Sequence, residues 1–193
     1  MTDSPLELLS TWLKEAKEKS DLVEPWAVTL TTVDAQGQPW SRVVLIKEVT
    51  PEGLIFYTNY SSRKARQLET NQKVCLNFFW TQTGRQIAIT GTAEKVDRTT
   101  SETYWNSRPK DSQISQLISH QSQALNSYEK LQQLHQKTTE EFKDKQIPCP
   151  DNWGGYNIRP STIEFWIAHP DRLHDRVYYQ KNSSQWQAQR LYP

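Results

Sequence analysis

Apolar residues recur at helical spacing near the N-terminus and alternate along most of the remaining chain. Leu6, Leu9, Leu13 and Ala16 fall on one helical face, so residues 4–19 are predicted to form an amphipathic helix. Ser4 and Glu7 make a capping box, with Pro5 at the first helical position. Glu24-Pro25 closes the connection to a β region. Trp26 to Val33 is β-rich, Asp34-Ala35-Gln36-Gly37 is a turn, and Trp40 to Glu48 is the next strand. Pro51-Glu52-Gly53 turns the chain into Leu54 to Thr58, and Ser61 or Ser62 caps a short helix to about Asn71. Val74, Leu76 and Phe78 alternate along another strand. Thr83-Gly84 then leads into Arg85 to Val96, with Ile87 and Ile89 on one face.

Residues 99–145 read as helical, capped by Thr99 or Thr100 and interrupted by Pro109. From Asn126 to Lys145 only Tyr128, Leu131, Leu134 and Phe142 supply an apolar stripe, and it is incomplete. After Pro148-Cys149-Pro150, strands are expected over Thr162 to Ala168, Val177 to Gln180 and Trp186 to Leu191. Closely spaced hairpins with inserted helices point to an α+β fold, mainly β: a closed antiparallel barrel with peripheral helices. The expected organisation is a single domain over 1–193, with an N-terminal helix (1–20), barrel strands (26–97), a helical insertion (99–145) and closing strands (150–193).

Composition changes this picture in three ways. The apolar fraction is only 35%, offset by 8 Trp, 8 Tyr and 5 Phe, so pairing with a second copy is expected to complete the burial. The net charge of +1 gives no reason to expect nucleic acid or an anionic membrane as partner, so any anion site must come from local clustering. No stretch reaches the ~20 apolar residues of a membrane span, and Met1-Thr2-Asp3-Ser4-Pro5 lacks a signal-peptide pattern. Cys75 and Cys149 form no C-x-x-C, and read as free thiols of a reducing cytoplasm with no metal site.

Four clusters carry candidate chemistry. Arg42 and Lys47 bracket Val43-Val44-Leu45-Ile46; being five apart they face opposite sides of a regular strand, unless a bulge re-aims one. Spacing alone favours reading them as edge-strand charges that discourage aggregation. Ser62-Arg63-Lys64 stands at a helix start, where cations oppose the dipole and a phosphate would resolve the conflict; a solvated helix start is the alternative. Tyr104, Arg108 and Ser112, spaced four apart, offer a planar fork and two hydroxyls suited to a phosphate monoester, or simply a polar helix face. Arg172-Leu173-His174-Asp175-Arg176 is the densest cluster, either a polar site or a neutralised surface turn. Trp153-Gly154-Gly155 is too short for a nucleotide loop.

In order and spacing, several of these stretches resemble the pyridoxine 5'-phosphate oxidase family. They are Arg42-Val43-Val44-Leu45-Ile46-Lys47, Phe56-Tyr57-Thr58-Asn59, Ser62-Arg63-Lys64 and Ser107-Arg108-Pro109-Lys110-Asp111-Ser112-Gln113. Trp153-Gly154-Gly155, Arg172-Leu173-His174-Asp175-Arg176, Trp186 and Arg190-Leu191-Tyr192-Pro193 extend the likeness from about residue 5 to the last. The resemblance implies an FMN-binding split barrel, working as a homodimer with flavin at the subunit interface. FMN contacts would fall on Arg42 to Lys47, Tyr57, Thr58, Arg63, Lys64, Gln86, Gln121, Ser122, Trp166 and Arg176, with Arg63 and Lys64 taking its phosphate. Substrate phosphate would meet Lys47, Tyr104, Arg108 and Ser112, while Arg172 and His174 would lie against the pyridine ring as the catalytic pair.

The implied reaction is hydride transfer from C4' of pyridoxine or pyridoxamine 5'-phosphate to flavin. Oxygen then accepts the electrons and yields hydrogen peroxide, with ammonia released from the amine. Two departures stand out: the chain begins close to its first helix, without the longer arm of many members, and Glu24 replaces a frequent Asp. The rival readings are a split-barrel flavoprotein of another activity, such as a flavin reductase, and a non-catalytic FMN or pyridoxal phosphate carrier. A barrel that binds nothing would require every basic cluster to be coincidental.

Overall fold

A computed structural model describes residues 4–19, 24–183 and 185–193. The chain divides into two compact units: residues 1–56, 67–94 and 157–193 form the first, and residues 57–66 and 95–156 the second.

The first unit is built on antiparallel strands. Helix α1 (Pro5–Lys19) precedes β1 (Ala27–Val33), β2 (Pro39–Val49) and β3 (Leu54–Asn59). Helix α2 (Arg63–Thr70), β4 (Lys73–Trp80) and β5 (Arg85–Lys95) come next, and β6 (Trp153–Ile167), β7 (Asp175–Asn182) and β8 (Gln185–Arg190) complete the sheet. The order is β3-β2-β1-β4-β5-β6-β7-β8, and a further β3–β6 pairing closes six strands into a barrel. Alternation does what the sequence predicted: Val28, Leu30, Leu76, Phe78, Ile87, Ile89, Ile163 and Phe165 are all buried. Leu9 and Leu13 of α1 are fully buried as well, and the Trp12 ring meets Phe165 edge-on at 5.1 Å. The Ser4 hydroxyl accepts the Glu7 N–H at 3.4 Å, as the capping box requires.

Two local devices shape β2. The Asp34 carboxylate accepts N–H bonds from Gln36 and Gln38 and from the Trp40 indole, while Gly37 takes φ 84°. The Trp40 bond, then the backbone bonds, hold the Asp34 carboxyl below the usual carboxylate range. Further on, the β2–β3 register slips by one residue between Ile46 and Glu48, leaving Lys47 as the extra residue of a bulge.

Gly91 of β5 sits where a Cβ would collide with the Arg159 carbonyl of β6. Gly91→Ala is therefore expected to lower unfolding free energy by roughly 2 kcal/mol or more, read as a lower urea midpoint. An unchanged midpoint would show that the two strands separate freely there.

The second unit is largely helical. Helices α3 (Arg98–Ser107), α4 (Lys110–Ile118) and α5 (Tyr128–Glu141) surround a small core of Trp105, Ile114, Ile147 and Trp153. Asp97, not Thr99 or Thr100, caps α3: its carboxylate accepts both the hydroxyl and the N–H of Thr100, and a charged oxygen outcompetes a hydroxyl. The helical expectation for 99–145 fails over 119–127, where turns intervene and Ser122 takes φ 71°. Strand β6 starts at Trp153 rather than Thr162. Gly154, Gly155 and Pro160 depress its intrinsic β signal, and pairing overrides them.

Candidate functional site

The N-terminal end of α2 gathers several expected residues in the second unit. Ser62 is fully buried and its hydroxyl accepts the Ala65 N–H at 3.4 Å, which sets the helix start. Lys64, only 9% exposed, turns its ammonium onto Thr58 Oγ1 and Gln121 Oε1, both at 3.0 Å, and onto Ser62 Oγ at 3.4 Å. None of these three oxygens carries a formal charge. Thr58 also donates to Gln121 Oε1 at 3.2 Å. The Arg63 N–H donates to the Ser122 hydroxyl at 3.2 Å. Ser122 holds a left-handed backbone uncommon outside glycine, a strain that recurs at binding sites. Asn59 secures the approach, accepting the Ser61 N–H at 2.7 Å and donating to the Ser119 carbonyl at 3.4 Å.

Still in this unit, a cavity of about 410 Å³ is lined by Arg108, Asp111, Ser112, Gln116 and Gln121 among others. Arg108 follows the last turn of α3 in an extended conformation, as expected before Pro109. Its guanidinium carbon lies 4.9 Å from the Trp153 ring centre and 5.3 Å from that of Trp105. Its Nη1 is buried without a hydrogen-bond partner. Burial holds the guanidinium below the usual arginine range, with Tyr104 and Cys149 opposing the shift. Tyr104 stacks on Tyr57 at 3.9 Å, and Tyr57 on Trp153 at 5.5 Å.

The first unit carries the remaining expected residues. Arg42 reaches across β1: Nη1 donates to the Leu30 carbonyl at 3.2 Å and to Thr32 Oγ1 at 2.6 Å, and Nη2 to Gln67 Oε1 at 3.2 Å. Thr32 also donates to Gln67 Oε1 at 2.6 Å, so the arginine is fixed by a buried polar pair. Lys47 is exposed on its bulge, which breaks the strict alternation that would oppose it to Arg42. Val43 is 65% exposed while Ile46 is buried, and Val44 and Leu45 are half-buried or exposed only in part between them. Gln86 is half-buried opposite Phe79.

Trp166 pairs with Arg176 across β6 and β7. Arg176 grips Glu164 with two bonds, 2.7 and 3.1 Å, and donates to the Tyr192 carbonyl at 2.9 Å. The Glu164 carboxylate, foremost by its hydrogen bond, raises the Arg176 pKa. In the loop before β7, Arg172 is exposed at φ 57° and its N–H closes a turn onto the His169 carbonyl. His174 packs at 4.5 Å from the Trp166 ring and accepts the His169 N–H on Nδ1 at 3.1 Å. That bond fixes a neutral ring as the Nε2–H tautomer, with Nε2 as the donor.

The structure thus brings Thr58, Arg63, Lys64, Gln121 and Ser122 together, and separately joins Trp166 with His174 and with Arg176. Lys47, expected beside Tyr104, Arg108 and Ser112, belongs to the other unit. Sequence reasoning missed the Thr32–Gln67 support of Arg42 and the indole faces around Arg108. The signal available was weak: Trp153 stood out only as part of Trp153-Gly154-Gly155. Among the described residues no group of three or more His, Cys, Asp or Glu is placed to hold a metal.

Residues 14–142 match the family described as pyridoxamine 5'-phosphate oxidase. The chain belongs to that family. Residues 153–193 match the pyridoxine 5'-phosphate oxidase C-terminal dimerisation region. Pyridoxine/pyridoxamine 5'-phosphate oxidase of Leptospira biflexa is 43% identical over 189 residues, covering 98% of this chain and 89% of that protein. Pyridoxine/pyridoxamine 5'-phosphate oxidase 1 of Hydrogenovibrio crunogenus is 45% identical over 192 residues, covering 98% and 88%. Among solved structures, PhzG from Burkholderia lata 383 in complex with tetrahydrophenazine-1-carboxylic acid superposes with TM-score 0.94 at 31% identity, covering 100% of this chain and 94% of that one. An FMN binding protein related to pyridoxamine 5'-phosphate oxidase, from Nostoc punctiforme PCC 73102, shares the fold at TM-score 0.78 and 16% identity, with full coverage of both chains. This member of the oxidase family is an enzyme, and no helix among its described residues is long and apolar enough to cross a membrane.

Proposed function

We propose that the protein oxidises pyridoxine or pyridoxamine 5'-phosphate to pyridoxal 5'-phosphate, using FMN and oxygen and giving hydrogen peroxide, with ammonia from the amine. The observation that carries this reading is Arg108: a half-buried guanidinium with an unpartnered nitrogen, lining a cavity with Ser112, in a chain 98% of which its Leptospira biflexa oxidase relative matches. A phosphate dianion is the partner that such a planar fork suits best.

The donor set at the start of α2 fits the FMN phosphate. Lys64 supplies a buried ammonium, Arg63 a second cation at the helix start, and Thr58, Gln121 and Ser122 polar groups around them. Arg42 with the run Val43 to Ile46, Lys47, Tyr57, Gln86, Trp166 and Arg176 would hold the rest of the flavin. When bound, FMN would supply the acceptor for the hydride, which carries both electrons. The chain's own residues do the rest. Tyr104, Arg108 and Ser112 clamp the substrate phosphate, which turns the reaction at C4' into an orientation problem already solved on binding. Arg172 and His174 orient C4' and its substituent, His174 donating through Nε2–H. The C-terminal dimerisation region supports a homodimer, at whose subunit interface the flavin would lie. The half-buried free thiols Cys75 and Cys149 support a reducing, cytoplasmic setting.

The likeness to PhzG favours one other reading, oxidation of a carboxylated polycycle whose anion would meet Arg108 instead. Anaerobic absorbance spectroscopy separates the two. With FMN bound, pyridoxine 5'-phosphate is expected to bleach the flavin band, air to restore it, and pyridoxal phosphate to form. A band that persists with the phosphate ester but bleaches with a reduced phenazine carboxylate would replace this proposal with the second. A band that bleaches with neither would leave a split-barrel flavoprotein of another activity or a carrier, and a protein that takes up no FMN would overturn the flavin assignment.

A further inference from the structure

We propose that Trp153 is a positioning residue for the substrate phosphate: its indole face holds the Arg108 guanidinium so that the fork keeps an unpaired edge for the incoming anion. The inference rests on the reading of Arg108 as a phosphate ligand, and deepens it.

A long arginine side chain needs something to fix it. A carboxylate would do so, but would also neutralise the charge and occupy the N–H fork. Asp111 lines the same cavity, yet among the described residues no hydrogen bond or ion pair joins it to Arg108. The guanidinium is instead held by aromatic faces, 4.9 Å from Trp153 and 5.3 Å from Trp105. A ring face attracts the cation through its quadrupole without accepting an in-plane N–H bond, so the edge of the fork is left for another partner. Nη1 is unpartnered, though buried as the side chain now lies, and Arg108 lines the cavity beside Ser112.

The Trp153 ring is itself immobilised. It is 2% exposed and meets Trp105 edge-on at 4.8 Å, and Tyr57 and Tyr104 lie parallel to it at 5.5 and 6.3 Å. Trp105 is tied by its indole N–H to the Ile147 carbonyl at 2.9 Å. The Trp153 backbone is pinned as well: its N–H donates to the Pro150 carbonyl, and its carbonyl accepts from Arg98 at 3.3 Å. Arg108 follows a helix end and precedes Pro109, which restricts its backbone, and its N–H caps onto the Trp105 carbonyl at 3.1 Å. Backbone and ring together place the fork before any ligand arrives, so little ordering remains to be done on binding. Replacement of Trp153 should therefore weaken capture of the phosphorylated substrate rather than the chemical step.

The test is a double-mutant cycle on the FMN-loaded enzyme, with KM and kcat measured for pyridoxine 5'-phosphate. Trp153→Leu, which removes the ring face, is expected to raise KM about tenfold, and Trp153→Phe, with a weaker face, about threefold. Both effects should be confined to KM and should vanish in an Arg108→Ala background, because they act through that side chain. Equal rises in KM with and without Arg108 would overturn the inference, as would an unchanged KM in both Trp153 variants. If Trp153→Leu does not fold, the Trp153→Phe cycle decides by the same criterion. Should Arg108→Ala alone leave KM unchanged, the failure lies in the assignment of Arg108 to phosphate and takes the inference with it.

Discussion

Arg172→Ala is expected to lower turnover of pyridoxine 5'-phosphate about a hundredfold while the purified enzyme keeps its FMN. The residue is exposed, closes its loop only through its backbone N–H, and stands two residues before His174. A side chain so placed contributes little to the fold and is free to act on a ligand. Its φ of 57° costs an ordinary L-residue roughly 1–2 kcal/mol, so the backbone is strained around a side chain worth keeping. A pair of substitutions separates side chain from backbone. Arg172→Gly relieves the strain and Arg172→Ala retains it, yet both delete the guanidinium. If orientation of the reacting carbon is the role, the two lose turnover alike, although the glycine variant has the more relaxed loop. Recovery of turnover in Arg172→Gly would assign the effect to loop geometry and end the case for Arg172 as a catalytic residue. Steady-state kinetics beside flavin absorbance reads both quantities on one preparation.

Local periodicity made α1, β4 and β5 legible, because Leu9, Leu13, Leu76, Phe78, Ile87 and Ile89 each obey a single spacing and are all buried. The first half of β6 was hidden, since Gly154, Gly155 and Pro160 are poor strand formers and only pairing with distant strands holds them extended. Asp97 was overlooked because a carboxylate and two threonines compete for the cap, and geometry alone decides among them. At the site, candidates stood out where basic or polar neighbours adjoin in sequence, as in Arg63 and Lys64 or Arg172 and His174. It could not be read where the partner comes from afar. Thr32 and Gln67 fix Arg42 from positions 10 and 25 residues away, and Trp153 meets Arg108 from another element of its unit. The bulge at Lys47 lies between these cases: alternation left room for one without requiring it, and the β2–β3 register contains it.

Lys64→Met is expected to raise the FMN dissociation constant about a hundredfold, the loss of one charge-assisted hydrogen bond to phosphate of about 3 kcal/mol. Methionine keeps the apolar stem and volume of the side chain, so the substitution removes the ammonium and little else. The ammonium is nearly buried against Thr58, Ser62 and Gln121, which hold it at the start of α2 before flavin arrives. With flavin, the parent should gain more stability from the ligand than the variant does. Riboflavin supplies the control, because it carries the same ring system without the phosphate. Fluorescence titration should show the variant weakened toward FMN and nearly unchanged toward riboflavin. Equal weakening toward both ligands would place the Lys64 effect on the ring or on the fold, and would remove the start of α2 as the phosphate site. Because the group is buried, the difference should persist as salt is raised, whereas a contribution from exposed Arg63 should fade over the same range.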